Sequence, residues 1–232
     1  MTTDTLLNLI LPDHCVLCDQ LLLPRPDHLI CDFCRLDLPH NRHSCPACAL
    51  PLAPQEVHCP GCPTHPECLS LAALRHEHTA RFLVHRFKFQ HSLRAGQVLA
   101  QTMAEHAQQI YGSATTLPEA LLPVPLRPWS EFRRGYNQAR WLAVYLSRAL
   151  HIPVIDILQR TTATPPQRQL SKAARLRLPV NTFTVQRPLQ EKHVAVVDDV
   201  LTTGRTTNVI RTLLKTAGAA RVDVWCATRA LP

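Results

Sequence analysis

The sequence of 232 residues predicts an α/β fold, a mainly parallel sheet with helices on both faces, preceded by a small cysteine-rich module. Nine of the ten cysteines lie between positions 15 and 68. After about residue 70, strand and helix periodicities alternate, which predicts parallel strands joined by helices. Residues 194–197 are apolar without interruption, as expected of a strand buried on both faces. We therefore expect two domains, residues 1–70 and residues 71–232.

Eight of the cysteines form four Cys-x-x-Cys pairs, which are Cys15/Cys18, Cys31/Cys34, Cys45/Cys48 and Cys59/Cys62. Each such turn offers two thiolates to one tetrahedral metal ion, so four turns predict two structural zinc sites. Successive pairs sharing an ion would form a double zinc ribbon, which the short loops between pairs favour. A cross-braced pairing of the first pair with the third stays open, and a disulfide framework would need an oxidising compartment. Cys68 and Cys226 have no such pair and are expected to be buried thiols.

Charge is distributed unevenly along the chain. Residues 1–74 carry 3 Lys/Arg and 8 Asp/Glu, whereas residues 75–232 carry 22 Lys/Arg and 9 Asp/Glu. A body this basic favours an anionic partner such as a nucleotide, a diphosphate or a nucleic acid, although a solubilising surface would have the same composition. We find no secretory signal pattern and no apolar segment approaching the roughly 18 residues of a membrane span, so we expect a cytoplasmic protein with no membrane insertion.

Hydrophobic periodicity in the body predicts its elements. Helices are expected over about 92–111, 137–150 and 205–216. Strands are expected over 121–126, 182–185, 194–197 and 222–227, with a further short apolar run at 154–158. Residues 159–180 contain three prolines, five Lys/Arg and no acidic residue, which predicts a mobile basic loop.

A polar turn follows the apolar run 194–197. In order it contains Asp198, Asp199, Thr202, Thr203, Gly204, Arg205, Thr206 and Thr207. Backbone amides, threonine hydroxyls and the dipole of the following helix favour a phosphate monoester there. The carboxylates must face something else, either sugar hydroxyls or a magnesium ion, so the pattern predicts ribose 5-phosphate recognition. The segment lacks the lysine and first glycine of a Walker loop. A capped strand-to-helix connection with two solvated acids is the non-functional alternative.

Four segments of the body resemble known families. VVDDVLTTGRT looks like the phosphoribosyl pyrophosphate motif of type I phosphoribosyltransferases. FKFQHSLRAGQVLA, LLPVPLRPWSEFRRGYNQARWLA and LQRTTATPPQRQLS look like the ComF/GntX family, in which a zinc module of cysteine pairs precedes such a domain. The similarity covers nearly the whole chain. It implies a type I phosphoribosyltransferase-like fold in a protein associated with competence, DNA uptake or DNA utilisation, with competence or DNA-processing proteins as partners.

The resemblance also implies roles for individual residues. Asp198 and Asp199 would bind the ribose hydroxyls of phosphoribosyl pyrophosphate with magnesium, and the turn 202–207 would hold its 5-phosphate. Residues 124–127 correspond to the pyrophosphate loop, and segment 160–178 to a flexible hood. Arg133, Arg134, Gly135, Asn137 and Gln138 match the RRG-x-NQ element of the family. Magnesium and arginines stabilise a departing pyrophosphate, and the cationic candidates are Arg127, Arg134, Arg168, Lys172 and Arg175.

Two hypotheses about function follow. Purine-salvage enzymes of this fold carry an aspartate where this sequence has Thr202. Because that acid is missing here, the sequence does not identify the acceptor, and the first hypothesis is a phosphoribosyltransferase with an unidentified acceptor. The second is a non-catalytic factor that keeps the ligand pocket and binds single-stranded DNA through basic stripes with interleaved aromatic side chains. Those aromatic residues, for which core packing is the other interpretation, are Phe82, Phe87, Phe89, Phe132 and Tyr136.

Overall fold

The computed structural model of the chain describes residues 13–22, 29–62, 68–112, 117–126, 132, 134–161, 182–190 and 192–231. The helices and strands in these ranges are, in chain order, α1 (Asp32–Leu36), β1 (Ser70–Arg75), α2 (His78–Phe89), α3 (Leu93–Tyr111), β2 (Ala120–Pro123), α4 (Gln138–Leu150), β3 (Leu158–Arg160), β4 (Phe183–Val185), β5 (His193–Leu201), α5 (Arg205–Thr216) and β6 (Arg221–Arg229).

Four of the strands form a parallel sheet in the order β1-β6-β5-β2. β3 and β4 form a separate antiparallel pair. The carboxyl ends of parallel strands meet at one edge, so β2, β5 and β6 end side by side. Polar groups that follow these strands are thereby brought together, which is where open α/β sheets bind ligands.

Helices cover the sheet on both faces, as the sequence predicted. Along β5, Ala195 and Val197 join the buried cluster that contains residues of α2, α3 and α4. Their neighbours Val194 and Val196 point the other way, into the cluster that contains residues of α5 and of the β3–β4 pair. This alternation explains why the whole run 194–197 is apolar: both faces of the strand are buried.

Several boundaries differ from the sequence prediction. β5 continues past residue 197 to Leu201, because its ladder with β6 also continues, pairing Asp198 with Cys226 and Leu201 with Arg229. β2 ends at Pro123 instead of 126, since Pro125 has no N–H to extend a ladder. The run 154–158 contributes a single bridge to β2, and β3 begins only at its last residue. β1 and α2 were not predicted.

The cysteine-rich segment packs directly on the body. Val16, Ile30 and Leu38 share a buried cluster with Phe87 of α2. Backbone hydrogen bonds also join this segment to β1. The N–H of Asn41 donates to the carbonyl of Ala73 at 2.9 Å, and the N–H of Arg75 donates to the carbonyl of Pro39 at 2.8 Å. The division of the chain at residue 70 stays a prediction.

The side chain of Asp223, on β6, is hydrogen-bonded to several residues at the amino-terminal edge of the sheet. Its carboxylate is fully buried and accepts hydrogen bonds from the N–H of Leu69 at 2.7 Å, Nε2 of His193 at 2.8 Å and Nε of Arg221 at 3.0 Å. The hydroxyl of Tyr111 donates to it as well. Burial alone would raise the pKa of Asp223, but the bonds from His193 and Arg221 hold it below its usual range.

We expect Asp223→Asn to lower the free energy of unfolding by about 2–4 kcal/mol, because it removes the fully buried charge that pairs with two partly buried donors, His193 and Arg221. Urea denaturation at pH 7 measures this. Asp156→Asn is the control, since its pair with Arg140 at 3.1 Å is about half exposed and contributes about 1 kcal/mol or less. Because the folded-state pKa is depressed, the contribution of Asp223 is present above the unfolded pKa of about 3.9 and disappears as the pH falls through the folded value. Equal losses in both variants would contradict this account.

Candidate functional site

Two adjacent acids lie at the carboxyl edge of the sheet, on β5. Asp199 is 7% exposed, and its Oδ1 lies 2.7 Å from Nζ of Lys88. Oδ1 of Asp198 accepts a hydrogen bond from the N–H of Asp199 at 2.9 Å. Burial, and then the charge of Asp199, raise the pKa of Asp198 to about 7. The charges of Lys88 and Arg160 oppose this rise only in part, and a divalent cation or sugar hydroxyls would stabilise the ionised form of the pair.

Lys88 and His76 belong to this site although the sequence pattern assigned them no role. Lys88 comes from α2 and His76 from the segment between β1 and α2. Nδ1 of His76 lies 2.9 Å from the hydroxyl of Thr228 on β6. Burial, then the charges of Lys88 and Arg81, lower the pKa of His76, so its ring is neutral at pH 7. Lys88 lies in the segment FKFQHSLRAGQVLA, but the sequence shows the role of neither residue, because their partners lie on strands far along the chain.

The turn between β5 and α5 is built around Gly204. With φ at 73°, this residue is left-handed, a conformation that glycine adopts without strain, and it occupies the N-cap position of α5. Within the described chain, no side-chain hydrogen bond caps this helix. Thr202 and Thr203 are exposed, whereas Thr207 is buried and donates its hydroxyl to the Gly204 carbonyl at 2.9 Å. The arrangement is a helix N-terminus flanked by accessible hydroxyls, which suits an anion.

The loop after β2 lies beside the acids. The N–H of Val124 donates to the carbonyl of Val197 at 3.0 Å, next to Asp198. Nδ2 of Asn137 donates to the carbonyl of Val124 at 3.1 Å. The structure therefore brings residues 124–126 and the acid pair to one place. Arg127, which belongs to the same expected loop, lies outside the described residues.

The RRG-x-NQ element mainly supports its surroundings. Asn137 caps α4 by accepting a hydrogen bond from the N–H of Arg140 at 3.2 Å. Gln138 is 1% exposed and accepts one from Arg134 at 3.3 Å. The guanidinium of Arg134 also lies 5.4 Å from the ring centroid of Phe89, at the end of the helix that carries Lys88. Arg133 of this element lies outside the described residues. So do most of the expected hood, residues 162–178, and the cationic candidates Arg168, Lys172 and Arg175.

The aromatic residues of the second hypothesis divide between core and surface. Phe87 is fully buried, so core packing is the correct interpretation for it; Tyr136 is partly buried against the same cluster and donates its hydroxyl to the Phe87 carbonyl. Phe82 is 46% and Phe89 51% exposed on α2. Phe132 is also exposed.

The cysteine pairs form two groups of four ligands. In each group the four Sγ atoms lie within 4.8 Å of one another, and the groups are Cys15, Cys18, Cys31 and Cys34, then Cys45, Cys48, Cys59 and Cys62. Successive pairing is thereby confirmed and the cross-braced pairing is wrong. Four sulfurs at this separation fit tetrahedral zinc and leave no position open for a substrate.

Backbone amides favour the thiolate of one cysteine in each group, whereas burial raises the pKa of Cys34 and Cys62 in the same groups. Although burial opposes it, N–H groups of Cys18 and Cys31 lower the pKa of Cys15 to about 6. Similarly, N–H groups that include that of Cys59 lower the pKa of Cys45 to about 7, again against burial. Thiolates are the form that zinc binds, so both sites fit structural zinc.

Comparison with known proteins agrees with this architecture. Residues 6–63 match the family described as double zinc ribbon domain. DNA utilization protein YhgH of Escherichia coli is 33% identical over 229 residues, which cover 96% of this chain and 100% of the relative. The chain belongs to the ComF/GntX family. Competence protein F of Haemophilus influenzae is 39% identical over 158 residues, which cover 64% of this chain and 67% of the relative. Competence protein ComFC of Bacillus subtilis is 28% identical over 231 residues, which cover 90% of this chain and 92% of the relative.

Solved structures resemble this ComF/GntX protein more distantly. Glutamine phosphoribosylpyrophosphate amidotransferase from Bacillus subtilis has a TM-score of 0.39 and 22% identity, covering 57% of this chain and 26% of that one. Adenine phosphoribosyltransferase from Leishmania donovani has a TM-score of 0.41 and 13% identity, covering 69% and 70%. Scores below 0.5 carry no argument about residue roles. Separately, none of the helices in the described part of the chain combines the length and apolar character that a membrane span requires.

In this ComF/GntX protein the acid pair is expected to cost stability. Because the folded-state pKa of Asp198 is raised, the native state holds its proton more tightly than the unfolded chain, and stability falls as the pH rises from about 4 towards 7. Asp198→Asn should therefore raise Tm by roughly 2–4 °C at pH 8 in the absence of magnesium and have little effect at pH 4.5. Thermal unfolding at both pH values measures the difference, with Asp156→Asn as the control. A variant that is less stable than wild type at pH 8 would overturn the assignment.

Proposed function

We propose that this protein binds phosphoribosyl pyrophosphate with magnesium at the carboxyl edge of its sheet. The observation that carries the proposal is the acid pair at the end of β5, of which Asp199 is buried, followed by the Gly204 turn that opens α5. Asp198 and Asp199 would hold the ribose hydroxyls and the magnesium ion. Thr202, Thr203, Gly204, Arg205, Thr206 and Thr207 would hold the 5-phosphate. Carboxylates and an amide-lined helix terminus are complementary to these two ends of one ligand.

The charges around the pocket suit the departure of pyrophosphate from ribose C1. When bound, magnesium would neutralise part of the negative charge on the leaving group. Arg134 lies beside Phe89 at the end of α2, and Lys88 on the same helix contacts Asp199. We propose Arg127, Arg134, Arg168 and Lys172 as the groups that face the leaving pyrophosphate.

In the turn, the neutral residue Thr202 stands where purine-salvage enzymes of this fold carry an aspartate. Thr202 is exposed, and a hydroxyl cannot take a proton from an acceptor as a carboxylate does. Transfer would then require an acceptor that is already a good nucleophile. The alternative is a protein that keeps the pocket as a ligand sensor or as a site for a nucleic-acid end.

The family supports a role near DNA uptake or utilisation. Two of its relatives are named DNA utilization protein YhgH and Competence protein F. We infer that DNA and proteins that process or import it are the partners. We also place the protein in the cytoplasm, because two four-thiolate zinc sites need reduced cysteines.

Calorimetric titration with phosphoribosyl pyrophosphate and magnesium tests the ligand. We expect Asp198→Asn plus Asp199→Asn to weaken binding by about 30-fold or more, since charge-assisted contacts to the metal and hydroxyls are lost. Omitting magnesium from the wild-type titration should have a comparable effect. Asp156→Asn, which changes an acid elsewhere on the surface, should bind as wild type does. Equal weak binding by all three proteins would refute the proposal.

Pyrophosphate release then separates an enzyme from a binding protein. Candidate acceptors, including single-stranded DNA ends, are added to the saturated protein and pyrophosphate is measured with time. Pyrophosphate release that occurs only with an acceptor present and with Asp198 and Asp199 intact supports a phosphoribosyltransferase. Tight binding without release under every acceptor favours the non-catalytic alternative.

A second candidate function, single-strand DNA binding, is favoured by the exposed face of α2. Phe82, Arg86 and Phe89 recur at helical spacing, and the Arg86 guanidinium lies 5.6 Å from the Phe82 ring centroid. The ring of His85 lies 5.1 Å from that of Phe89. Exposed rings interleaved with arginines offer stacking surfaces for bases together with charge for phosphates. This stripe ends next to Lys88 and therefore next to the acid pair.

We expect Phe82→Ala plus Phe89→Ala to weaken binding of a single-stranded oligonucleotide by about 10-fold or more, because stacking on each ring contributes roughly 1–3 kcal/mol. Fluorescence anisotropy at several salt concentrations measures the affinity. Phe33→Ala is the matched control, since that ring is 79% exposed on the zinc module. Neutralising Arg168, Lys172 and Arg175 should also reduce the salt dependence. Affinity unchanged in the double alanine variant would remove α2 from the DNA surface.

A further inference from the structure

Arg229, the last residue of β6, contacts both the second zinc group and the phosphate turn. Its side chain donates from Nε to the carbonyl of Cys48 at 2.8 Å and from Nη1 to the carbonyl of Leu201 at 3.0 Å. Nη1 also contacts the carbonyls of Thr202 and Ala230. Cys48 is a ligand of the second zinc group, and Leu201 and Thr202 begin the turn. One guanidinium therefore joins two parts of the protein that the chain separates widely.

Burial makes this connection strong. Arg229 is 5% exposed. A guanidinium stays charged at every accessible pH and cannot give up its partners without leaving a buried charge uncompensated. The carbonyls of Cys48, Leu201 and Thr202 are thus held in fixed positions relative to one another.

Packing connects the same two parts only partly, since Ala49 of the second zinc loop and Leu201 share a buried cluster. A cavity of about 280 Å³ lies between them, lined on one side by Cys48, Cys62 and Cys68 and on the other by Thr203, Gly204 and Thr207. Where side chains do not fill the space, the position of the turn depends on directional bonds across it. Those of Arg229 are the bonds that reach from the zinc group to the turn in the described residues.

The first zinc group has different neighbours. Its loop accepts hydrogen bonds from Arg86 of α2, which donates to the Val16 carbonyl at 2.8 Å, and from Arg94 of α3, which donates to the His14 carbonyl at 2.9 Å. The two zinc groups, alike in sequence, are therefore attached to different parts of the body. The first is attached to α2 and α3. The second is attached to the turn through Arg229 and to β1 through Ser70, which donates to the carbonyls of Pro46 and Ala47 at 2.7 Å each.

We propose that Arg229 is a positioning residue through which the second zinc group holds the phosphate turn in its ligand-binding conformation. Loss of zinc from that group would loosen the turn, whereas loss from the first group would not. The effect on ligand affinity rests on the proposed function. The effect on the turn does not.

Hydrogen exchange of the full-length, zinc-loaded protein without ligand tests the proposal directly. Arg229→Lys keeps the charge but cannot span the two sets of carbonyls. We expect exchange at residues 202–207 to rise by about 10-fold while zinc content stays at two per chain. The matched control is Arg211→Lys in the same cavity, whose guanidinium donates to Val222 and Ser70 instead of the turn. Exchange in the turn that is unchanged by Arg229→Lys, or raised equally by Arg211→Lys, would overturn the proposal.

Removing one zinc at a time provides an independent measurement. Cys59→Ser plus Cys62→Ser empties the second group and leaves Cys48 in place, and Cys31→Ser plus Cys34→Ser empties the first. Exchange at residues 202–207 should rise in the former and stay near wild type in the latter. If a variant does not fold, slow chelation of the wild-type protein, followed by metal analysis and exchange at each stage, gives the same comparison. A turn that loosens equally with either zinc would contradict the assignment.

Ligand fragments separate positioning from general destabilisation. Arg229→Lys should weaken ribose 5-phosphate binding by about 10-fold and leave magnesium pyrophosphate binding unchanged, because only the former uses the turn. Equal losses for both fragments would indicate a merely structural role for Arg229. If neither fragment binds the wild-type protein, the proposed function fails, and the exchange measurements still decide whether Arg229 holds the turn.

Discussion

The pairing of β5 with β6 is the constraint on which the rest of the site depends. It runs from His193 opposite Arg221 to Leu201 opposite Arg229, beyond the point where the apolar run ends. Because the ladder continues, two aspartates are held on a rigid strand instead of a loop. The same register brings Arg229 alongside the start of the turn between β5 and α5. A slip of one residue would exchange the faces of the sheet to which Asp198 and Asp199 point.

The ionised acid pair on β5 lowers the stability of the folded protein. Burial and mutual repulsion raise the pKa of Asp198, and Lys88 offsets part of the charge of Asp199. At the opposite edge of the same sheet, Asp223 is fully buried but surrounded by donors that lower its pKa. The contrast follows from hydrogen bonding: Asp223 accepts bonds from four donors of the chain, whereas Asp199 pairs with Lys88 and Asp198 accepts the N–H of Asp199.

Much of the fold follows from local pattern. The spacing of the cysteine pairs predicted two four-ligand groups, and the apolar run 194–197 predicted a strand buried on both faces, because metal geometry and strand burial impose short-range rules. Elements without a clear period were missed. These elements are β1 and α2. β1 is a short strand buried along most of its length, and α2 contains buried Phe87 together with exposed Phe82 and Phe89. Strand limits were misjudged as well, because a ladder extends as far as its partner does.

The sequence by itself determined the chemical groups of this protein: eight zinc ligands in four pairs, two acids after a buried strand, and a threonine-rich turn before a helix. These are contiguous motifs, so their chemistry is visible before folding. The tertiary structure alone decided which pairs share a metal and that Lys88 faces Asp199. It also decided that Arg229 links the second zinc group to the turn. Such contacts join residues far apart in the chain, and their positions depend on strand order and register, which no local pattern specifies.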